Sequence, residues 1–431
     1  MKFEKLKHLS LVLSVLITSG LASCTKDYNS SGITAGTGAP TITSVHTLSK
    51  TDTLTTPTSV TQIDGSGNVT TTTGGLPIVP VGFDSVTTSG QKNNYYVIYG
   101  TNLGSTTNIT FNGIVAYFNR AFITDKSLIV SIPTTTPTVG PAATNKIVVT
   151  TLHGSVSYAF VVLTPVPTTQ AVSDYDFWNG SQITLMGFGF ATVQSVALVT
   201  SGTTNVIGAA TVLPGQTDAT ISLSFPQVTA PRVNLAITYV YDSKGDTRTA
   251  YTTQEFVDLD NAYTIFASNS FQNSWGDNSW SGPSGASTNA AHAYNGTASA
   301  EASYPTNGWK IEGWANWYPS FPYDPTYKYL TFWVKGGTQD QTLTLVGDQM
   351  AGGYGQNTSP AVLQQIDVPP GVWTYYKIPL GYSGASQLNY WGASAASAAG
   401  SIVAKQLGFF LKGQGSDPNE TMYFDEVAFV K

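Results

Sequence analysis

The chain has 431 residues, a formal net charge of -6 and only 10% charged residues. This length predicts two to four domains. A nucleic-acid binder normally presents a basic surface, so the acidic balance excludes nucleic acid as a partner. Val, Thr and Tyr dominate the predicted strands, and no long segment carries helical periodicity, so we predict an all-β fold.

The first 23 residues have the pattern of a lipoprotein signal peptide. Three lysines within the first seven residues precede an apolar run at 9–21, which is too short to span a bilayer as a stable helix. Leu21-Ala22-Ser23-Cys24 then matches a lipobox, and Cys24 is the only cysteine of the chain. We predict that residues 1–23 are removed and that Cys24 carries the lipid. The alternative is an ordinary secretory signal with a chance cysteine.

The signals around Cys24 also predict a location. Several acyl chains on one residue anchor a protein durably. Lys26-Asp27 resembles the short charged signal that sends some Gram-negative lipoproteins to the outer face of the outer membrane. We therefore expect a lipid-anchored protein of the cell outer membrane that faces the exterior. Residues 24–40, rich in Ser, Gly and Thr, are predicted to form a flexible tether.

Short strands alternate with turn signals from Thr41 onward. The first series of predicted strands lies at 94–100, 108–112, 127–133, 145–151 and 156–163. The same order recurs with drift at 182–187, 219–226, 233–241 and 247–256. Two imperfect copies of one strand plan predict tandem Ig-like β-sandwiches at 41–165 and 166–257. Residues 60–90 lengthen the first copy, either as an insertion hairpin or as a separate strand pair.

The first copy carries a recognisable motif. Tyr99-Gly100-Thr101-Asn102-Leu103-Gly104 and Phe111-Asn112-Gly113 resemble the glycine- and asparagine-containing pattern of immunoglobulin-like IPT/TIG domains. The second copy, at 187–190, has lost the Asn and the following Phe-Asn-Gly. The resemblance implies that both copies act mainly as spacers.

The composition changes near Asp258, since eight of the nine tryptophans follow it. Apolar strands are predicted at 329–335, 373–380, 406–412 and 422–430, and together they predict a β-jelly roll over 258–431. Trp333 and Trp373 lie inside such strands, so we interpret both as structural.

A strand predicted at 308–317 is the centre of the candidate site. Period two places Lys310, Glu312 and Trp314 on one face. An indole can stack on the apolar face of a sugar ring while charged neighbours bind its hydroxyls. The alternative is a solvated ion pair with Trp314 as edge packing. Loops of this region add aromatic residues that we expect to be exposed, because loop indoles have few backbone-driven reasons to be there. These further candidates are Trp275, Trp280, Trp317, Tyr318, Tyr354 and Trp391.

Three segments of this region carry a second resemblance. They are 273–281 (NSWGDNSWS), 330–336 (LTFWVKG) and 422–427 (MYFDEV), and they resemble surface glycan-binding proteins of polysaccharide-utilisation loci, type B, with a domain like the xyloglucan-binding domain. The resemblance implies non-catalytic capture of xyloglucan or another β-glucan or hemicellulose. It also implies a neighbouring outer-membrane glycan transporter complex as partner.

Two rival functions stay open. A surface glycoside hydrolase would need two carboxylates across a cleft, for which Glu312 and Asp348 are the candidates. An adhesin that binds protein would use similar aromatic residues. We expect no catalytic residues, no cofactor and no metal in the glycan site; a structural Ca²⁺ held by Asp425 or Glu426 is an alternative that the resemblance to jelly rolls implies.

Overall fold

The computed structural model describes residues 36–53, 59–63, 69–73, 78–280, 285–287, 289–306, 309–382, 386–412 and 419–431. Strand accounts for 50% of the chain and helix for 4%, so the predicted all-β class is confirmed. The helical residues form single 3₁₀ turns at Arg120–Phe122, Phe190–Thr192, Leu259–Asn261, Ala290–His292 and Val362–Gln364. In this part of the chain no helix has the length and apolar character needed to cross a membrane. The predicted signal peptide and Cys24 lie outside the described residues.

The chain folds into two compact units. One ends at Thr164, and the other begins at Pro165 and runs to Lys431, except that 242–245 group with the first. The predicted boundary between 165 and 166 falls one residue from this division. The predicted separation of 166–257 from 258–431 lies inside the second unit and stays a prediction.

The first unit consists of short antiparallel strands around one core. A three-stranded sheet has the order β1-β7-β10 and a four-stranded sheet the order β12-β11-β8-β9, while β6 and β13 form a parallel pair. The segment 49–82 contributes two nested strand pairs, β2 with β5 and β3 with β4. The strands are β1 (Thr41–Thr47), β2 (Ser49–Thr53), β3 (Ser59–Ile63), β4 (Val69–Thr73), β5 (Ile78–Gly82), β6 (Ser89–Gln91), β7 (Tyr95–Thr101), β8 (Thr106–Phe111), β9 (Ile114–Val115), β10 (Ser127–Ser131), β11 (Lys146–Thr151), β12 (Gly154–Ala159) and β13 (Val161–Leu163).

Alternation of side chains explains how this core forms. Ile98 of β7, Leu128 of β10 and Ile109 of β8 are buried, and their sequence neighbours on each strand point the other way. Gly100 has a steric role, because a Cβ atom there would lie 1.8 Å from the carbonyl oxygen of Thr41 on the neighbouring strand. Only glycine permits that close approach.

The second unit begins with a sandwich built on a separate core. Its strands pair along the order β14-β16-β19-β18-β17-β20-β22-β15, with β21 beside β20. The strands are β14 (Thr168–Val172), β15 (Asp176–Phe177), β16 (Gln182–Phe188), β17 (Val193–Thr200), β18 (Val206–Val212), β19 (Thr220–Ser224), β20 (Arg232–Val240), β21 (Thr247–Tyr251) and β22 (Phe256–Asp258). We call this part the middle sandwich.

The remainder of the second unit, here called the C-terminal sandwich, has two larger antiparallel sheets. The first contains β24-β23-β36-β27-β26, extended by β30 and β33, and the second is five-stranded with the order β25-β28-β35-β31-β32. The strands are β23 (Tyr263–Ala267), β24 (Ser270–Phe271), β25 (Gly276–Asp277), β26 (Gly285–Ala286), β27 (Ala300–Tyr304), β28 (Trp309–Ala315), β29 (Phe321–Pro322), β30 (Tyr329–Lys335), β31 (Gln341–Val346), β32 (Gln365–Val368), β33 (Trp373–Pro379), β34 (Val403–Ala404), β35 (Gln406–Lys412) and β36 (Glu420–Val430).

The core of the C-terminal sandwich lies between these sheets. Leu330, Phe332 and Val334 of β30 point into it, as the alternation predicted, and Phe409 of β35 meets them from the opposite sheet. Trp333 is also buried, but it faces the middle sandwich, where its Nε1 donates to Asp174 at 3.2 Å; its ring stacks on Tyr294 of the C-terminal sandwich with centroids 3.9 Å apart. In the five-stranded sheet, Phe409 lies on the face that packs in this core, whereas Phe410 lies on the opposite face, which is directed outward.

Candidate functional site

The predicted facing of strand β28 is wrong. Trp314 is 2% exposed and packs edge-on against Phe409 and Phe424 in the core. Glu312 shares that face and is 1% exposed, because its cross-strand partner is Phe409. The charge of Glu312 suggested a solvated face, whereas the opposite sheet covers it. Lys310, which pairs with Leu411, is half-buried at the end of the same strand.

Two of the loop tryptophans are also core residues rather than exposed ones. The Trp275 indole is buried and its Nε1 donates to the Tyr263 hydroxyl at 3.2 Å. The Trp391 indole is buried and its Nε1 donates to the carbonyl oxygen of Phe321 at 3.1 Å. Their Gly- and Ser-rich surroundings indicated solvent exposure, but each indole N–H finds a hydrogen-bond acceptor, which lets a loop residue join the core.

The outward face of the five-stranded sheet presents the first element of a candidate binding surface. Gly313 and Gly408 face each other across β28 and β35, and the Tyr354 ring rests on both. A Cβ atom on Gly408 would lie 2.8 Å from that ring, so only glycine leaves room for it. The Tyr354 hydroxyl donates to the carbonyl oxygen of Asn278 at 2.8 Å. Burial raises the pKa of Tyr354, so its phenol keeps the proton that it donates.

Trp280 reaches this face because its segment continues the edge of the sheet. The backbone N–H groups of Asn278 and Trp280 donate to the carbonyl oxygens of Gly313 and Ile311, both at 2.9 Å. This pairing extends the register of β25 along β28, which puts Trp280 on the outward face beside Ile311. Its indole stands edge-on to Tyr354, with centroids 5.8 Å apart and an interplanar angle of 81°. The indole is 59% exposed, so one large aromatic surface is open to a ligand.

A small apolar cluster supports these rings. Ile311, Val346 and Phe410 are buried on the outward face, and Tyr354 packs against them. The cluster anchors the ring from below and is separate from the core between the sheets. We call the outward surface formed by Trp280, Tyr354 and this cluster the aromatic platform.

The loop after β28 adds two more exposed rings. Trp317 is 60% and Tyr318 87% exposed, as predicted. Buried Asn316 holds the loop, because its Nδ2 donates to Tyr263 and Asn273 and its Oδ1 accepts from the Ser320 N–H at 3.1 Å. Of the predicted glycan-binding residues, therefore, Trp280 and Tyr354 lie together, and Trp317 and Tyr318 are exposed in the loop that follows β28.

A second concave feature was missed at the sequence level. Tyr323, Tyr327, Tyr382 and Trp391 line a groove of about 250 Å³ between residues 323–328 on one side and residues 380–382 and 387–391 on the other. Burial raises the pKa of Tyr327 to about 12. The only sequence signal for this groove was the recurrence of Tyr beside Pro and Gly in both segments, which does not distinguish surface from core.

Neither member of the proposed hydrolase pair can act on a polymer in this arrangement. Glu312 lies in the core, beneath the sheet that carries the platform. The Asp348 Oδ1 atom accepts from the backbone N–H groups of Lys405 and Gln406, both at 2.9 Å, so it fixes the chain locally. A glycosidase requires both carboxyl groups on the walls of one accessible cleft.

The comparisons with known proteins agree with the sequence motifs. An IPT/TIG domain-containing protein from Bacteroides ovatus is 32% identical over 124 residues, which cover 28% of this chain and 25% of that protein. The chain thus spans about a quarter of the length of the curated relative it matches. No family model matches the chain.

Solved structures also match over most of the chain. The surface glycan-binding protein PbSGBP-B from Prevotella bryantii aligns with a TM-score of 0.44 and 17% identity, over 91% of this chain and 99% of that one. SGBP-B from a complex xyloglucan utilization locus in Bacteroides uniformis aligns with a TM-score of 0.38 and 14% identity, over 79% and 96%. The match to the Bacteroides ovatus protein agrees with the predicted resemblance to IPT/TIG domains.

Proposed function

We propose that this chain is a non-catalytic glycan-binding lipoprotein that captures xyloglucan or another β-glucan or hemicellulose on the aromatic platform. The observation that carries the proposal is the exposed Trp280 indole, which stands edge-on to Tyr354, whose ring in turn rests on Gly313 and Gly408. An isolated exposed tryptophan needs no explanation, but one that is braced by a second ring and a buried cluster is costly to build without a use.

The open shape of the platform supports a polymeric ligand. It lies on the face of a sheet, so a long chain can cross it and leave at both sides, whereas a deep pocket would accept only a chain end. An indole binds the C–H face of a pyranose by burial of apolar surface. Trp317 and Tyr318, exposed in the loop after β28, are further candidates for contact with the glycan. Xyloglucan is the first ligand to test, because the sequence resemblance names it.

The proposed location rests on the N-terminal sequence. A basic start, a short apolar run and Cys24 at the predicted cleavage point support a lipid anchor. Residues 24–40 would then tether the folded part to the outer membrane, with its platform exposed to external polysaccharide. A neighbouring outer-membrane glycan transporter would receive the captured chain.

Binding to a panel of polysaccharides tests this function. We expect retarded migration in native gels that contain xyloglucan or mixed-linkage β-glucan, and free migration in gels with an α-glucan. The variant Trp280→Ala, Trp317→Ala should migrate freely in every gel, whereas Tyr382→Ala, which changes the separate groove, should behave as wild type. Free migration of the wild type in all gels, together with capture of a protein ligand, would support the adhesin instead.

A further inference from the structure

The groove lined by Tyr323, Tyr327, Tyr382 and Trp391 is separate from the aromatic platform. The two share no residue, and the proposed capture of a polymer on the platform leaves the groove unexplained. Residues 323–328 form one wall, and residues 380–382 and 387–391 form the other. A ligand between two walls contacts protein on both sides, whereas a ligand on the platform contacts one face of a sheet. The groove therefore suits a smaller ligand than the platform does.

Backbone hydrogen bonds fix both walls of the groove. The Leu380 N–H donates to the Lys328 carbonyl oxygen at 2.7 Å, and the Lys328 N–H donates to the carbonyl oxygen of Val430 at 2.7 Å. The Leu388 N–H donates to the Pro379 carbonyl oxygen, also at 2.7 Å. These bonds join the two walls to each other and to β36. A site that is formed in advance loses less free energy to ordering when a ligand binds.

Aromatic rings supply the apolar surface of the groove. Trp391 is buried and packs beside Tyr323 and Tyr327, with centroid distances of 5.7 and 6.1 Å. Its Nε1 already donates to the carbonyl oxygen of Phe321, so Trp391 offers ring surface rather than a hydrogen bond. Tyr382 on the opposite wall is 43% exposed, and its ring is the open surface of the groove.

Three phenol groups on this groove have no internal use. The hydroxyls of Tyr323, Tyr327 and Tyr382 have no hydrogen-bond partner among the described residues, although all three side chains line the groove. By contrast, the buried Tyr390 hydroxyl donates to the carbonyl oxygen of Gln406 at 3.2 Å. A phenol both donates and accepts hydrogen bonds, so the three groups are available to a ligand that does the same.

An amide oxygen adds a further acceptor. The Asn389 Nδ2 donates to the carbonyl oxygen of Ala393 at 2.9 Å, which fixes the side chain and leaves its Oδ1 without a donor among the described residues. Asn389 therefore offers a fixed acceptor to a ligand in the groove.

The charges of the lining favour a neutral ligand. Asp324 accepts from the Thr326 N–H at 2.9 Å and from the Lys431 ammonium group at 3.1 Å. The Lys328 Nζ donates to the Pro325 carbonyl oxygen at 2.8 Å. One carboxylate and one ammonium group in the lining, each already engaged, give neither an anion nor a cation a clear advantage. Burial raises the pKa of Tyr327 to about 12, so its phenol is also uncharged at neutral pH.

We propose that this groove is a second carbohydrate site, which binds one neutral sugar ring as a free monosaccharide or as the terminal residue of a short oligosaccharide. A pyranose presents an apolar C–H face together with hydroxyls that donate and accept, which matches ring surface combined with phenol and amide groups. The groove volume of about 250 Å³ lies below the roughly 300–1,000 Å³ of pockets for drug-sized ligands, so a long polymer segment does not fit.

Saturation-transfer NMR on the whole protein tests the proposal with glucose, xylose, galactose and methyl β-glucoside. We expect transfer to at least one of these sugars, with a dissociation constant in roughly the millimolar range because so few contacts are made. Glucose and its methyl glycoside distinguish the two sources, since the glycoside mimics a chain-terminal residue. Absence of transfer to all four sugars would overturn the proposal. Tighter binding of glucose 6-phosphate than of glucose would also overturn it, because the groove would then select charge.

Variants at Tyr382 place the sugar in the groove. Tyr382→Ala removes the open ring and its hydroxyl and should weaken sugar binding about tenfold or more, whereas Tyr382→Phe removes the hydroxyl alone and should weaken it about two- to tenfold. Neither should change the melting temperature, because the side chain is exposed. Trp280→Ala is the matched control, since it alters the platform and should keep sugar binding. Loss of transfer in Trp280→Ala with retention in Tyr382→Ala would place the sugar on the platform and overturn the proposal.

Polysaccharide gels keep this proposal separate from the proposed function. A long polymer offers few chain ends, so retardation in those gels measures the platform, and Tyr382→Ala should be retarded like wild type. Retardation without transfer to any small sugar would contradict the groove alone. Transfer to small sugars without retardation would contradict the platform alone.

Discussion

Trp280 and Trp314 lie on opposite faces of the same five-stranded sheet. Trp314 pairs with Leu407 and points into the core, whereas Trp280 extends the sheet edge beside Ile311 and points outward. The two indoles therefore allow the proposed binding role to be tested separately from folding within one sheet. The same substitution at each position should change one property and leave the other nearly intact.

Trp280→Ala should weaken glycan binding without a change in melting temperature. An indole–sugar contact buries on the order of 100 Å² of apolar surface, which is worth about 2.5 kcal/mol. The dissociation constant should therefore rise about 60-fold, as measured by calorimetry with a soluble oligosaccharide. Association itself costs about 4 kcal/mol or more, which offsets much of the free energy that the sugar contacts contribute. We therefore expect a wild-type dissociation constant between roughly millimolar and ten micromolar.

Trp314→Ala is the matched control for that variant. Removal of a core indole leaves a cavity and should lower the free energy of unfolding by about 3–5 kcal/mol. The molecules that stay folded at low temperature should still bind the glycan. A Trp314→Ala protein that melts like wild type but no longer binds the glycan would show that Trp314 lies on the binding face, as the sequence predicted.

Gly408→Ala should weaken glycan binding through Tyr354. The added Cβ atom would lie 2.8 Å from the Tyr354 ring and 3.0 Å from the Ile311 side chain, so the ring must leave its seat and Trp280 loses its brace. We expect a lower affinity with a cooperative melt. Gly355→Ala is the control in the adjacent loop, since its Cβ would meet no atom within 4 Å. Equal affinities of the two variants would show that the platform does not depend on Tyr354.

The sequence predicted the positions of the strands well, but it predicted poorly which side of a strand points into the core, and both outcomes have physical reasons. Alternation in YLTFWVK assigned Leu330, Phe332 and Val334 to the core, because three apolar side chains on one face outweigh other signals. In β28 the charge of Glu312 made the face that it shares with Trp314 look polar, so the sequence assigned the opposite face to the core. A buried carboxylate cannot be recognised without knowledge of the residues that cover it.

Loop tryptophans posed a different difficulty. Trp275 and Trp280 are five residues apart in one Gly- and Asn-rich segment, yet one is buried and the other exposed. The hydrogen bond from Trp275 to Tyr263 decides between them, and that contact joins residues 12 apart along the chain. Tyr354 was proposed from its glycine-rich loop, but its seat on Gly313 and Gly408 depends on pairing between strands far apart in sequence.

Cys24→Ala should move the protein out of the membrane fraction. The substitution removes the only thiol that lipoprotein processing could acylate. Fractionation of cells that express wild type and variant, followed by immunoblotting, measures the change. Ser23→Ala, which keeps a small residue before the cysteine, should stay with the membranes. Retention of Cys24→Ala in the membranes would contradict the lipid anchor.

The stability of the protein should fall as pH rises through the titration of Asp258. Burial raises the pKa of this carboxyl to about 6, although bonds from Asn261 and from the Asp260 N–H lower it in part. Between pH 4 and 6 the folded state keeps a proton that the unfolded state releases, so the free energy of unfolding declines across this window. Asp258→Asn lacks this titration. Relative to that variant, the free energy of unfolding of the wild type should fall by about 2–3 kcal/mol between pH 4 and 6, as measured by urea denaturation. A stability difference between the two proteins that does not change with pH would contradict the raised pKa of Asp258.

Trp333→Ala should destabilise the contact between the middle and C-terminal sandwiches. The substitution removes the ring that stacks on Tyr294 and leaves Asp174 without its indole donor, so we expect the free energy of unfolding to fall by about 3–5 kcal/mol.

Trp333→Phe separates the two contributions. It keeps a stacking ring and loses only the N–H bond to Asp174, so its cost should be about 1–2 kcal/mol. Urea denaturation measures both variants, and calorimetry at low temperature should find glycan binding unchanged, because the platform lies on the other sheet. A Trp333→Ala protein as stable as wild type would mean that the contact between the sandwiches does not depend on this indole. A stable protein with reduced glycan affinity would instead place Trp333 in the binding surface.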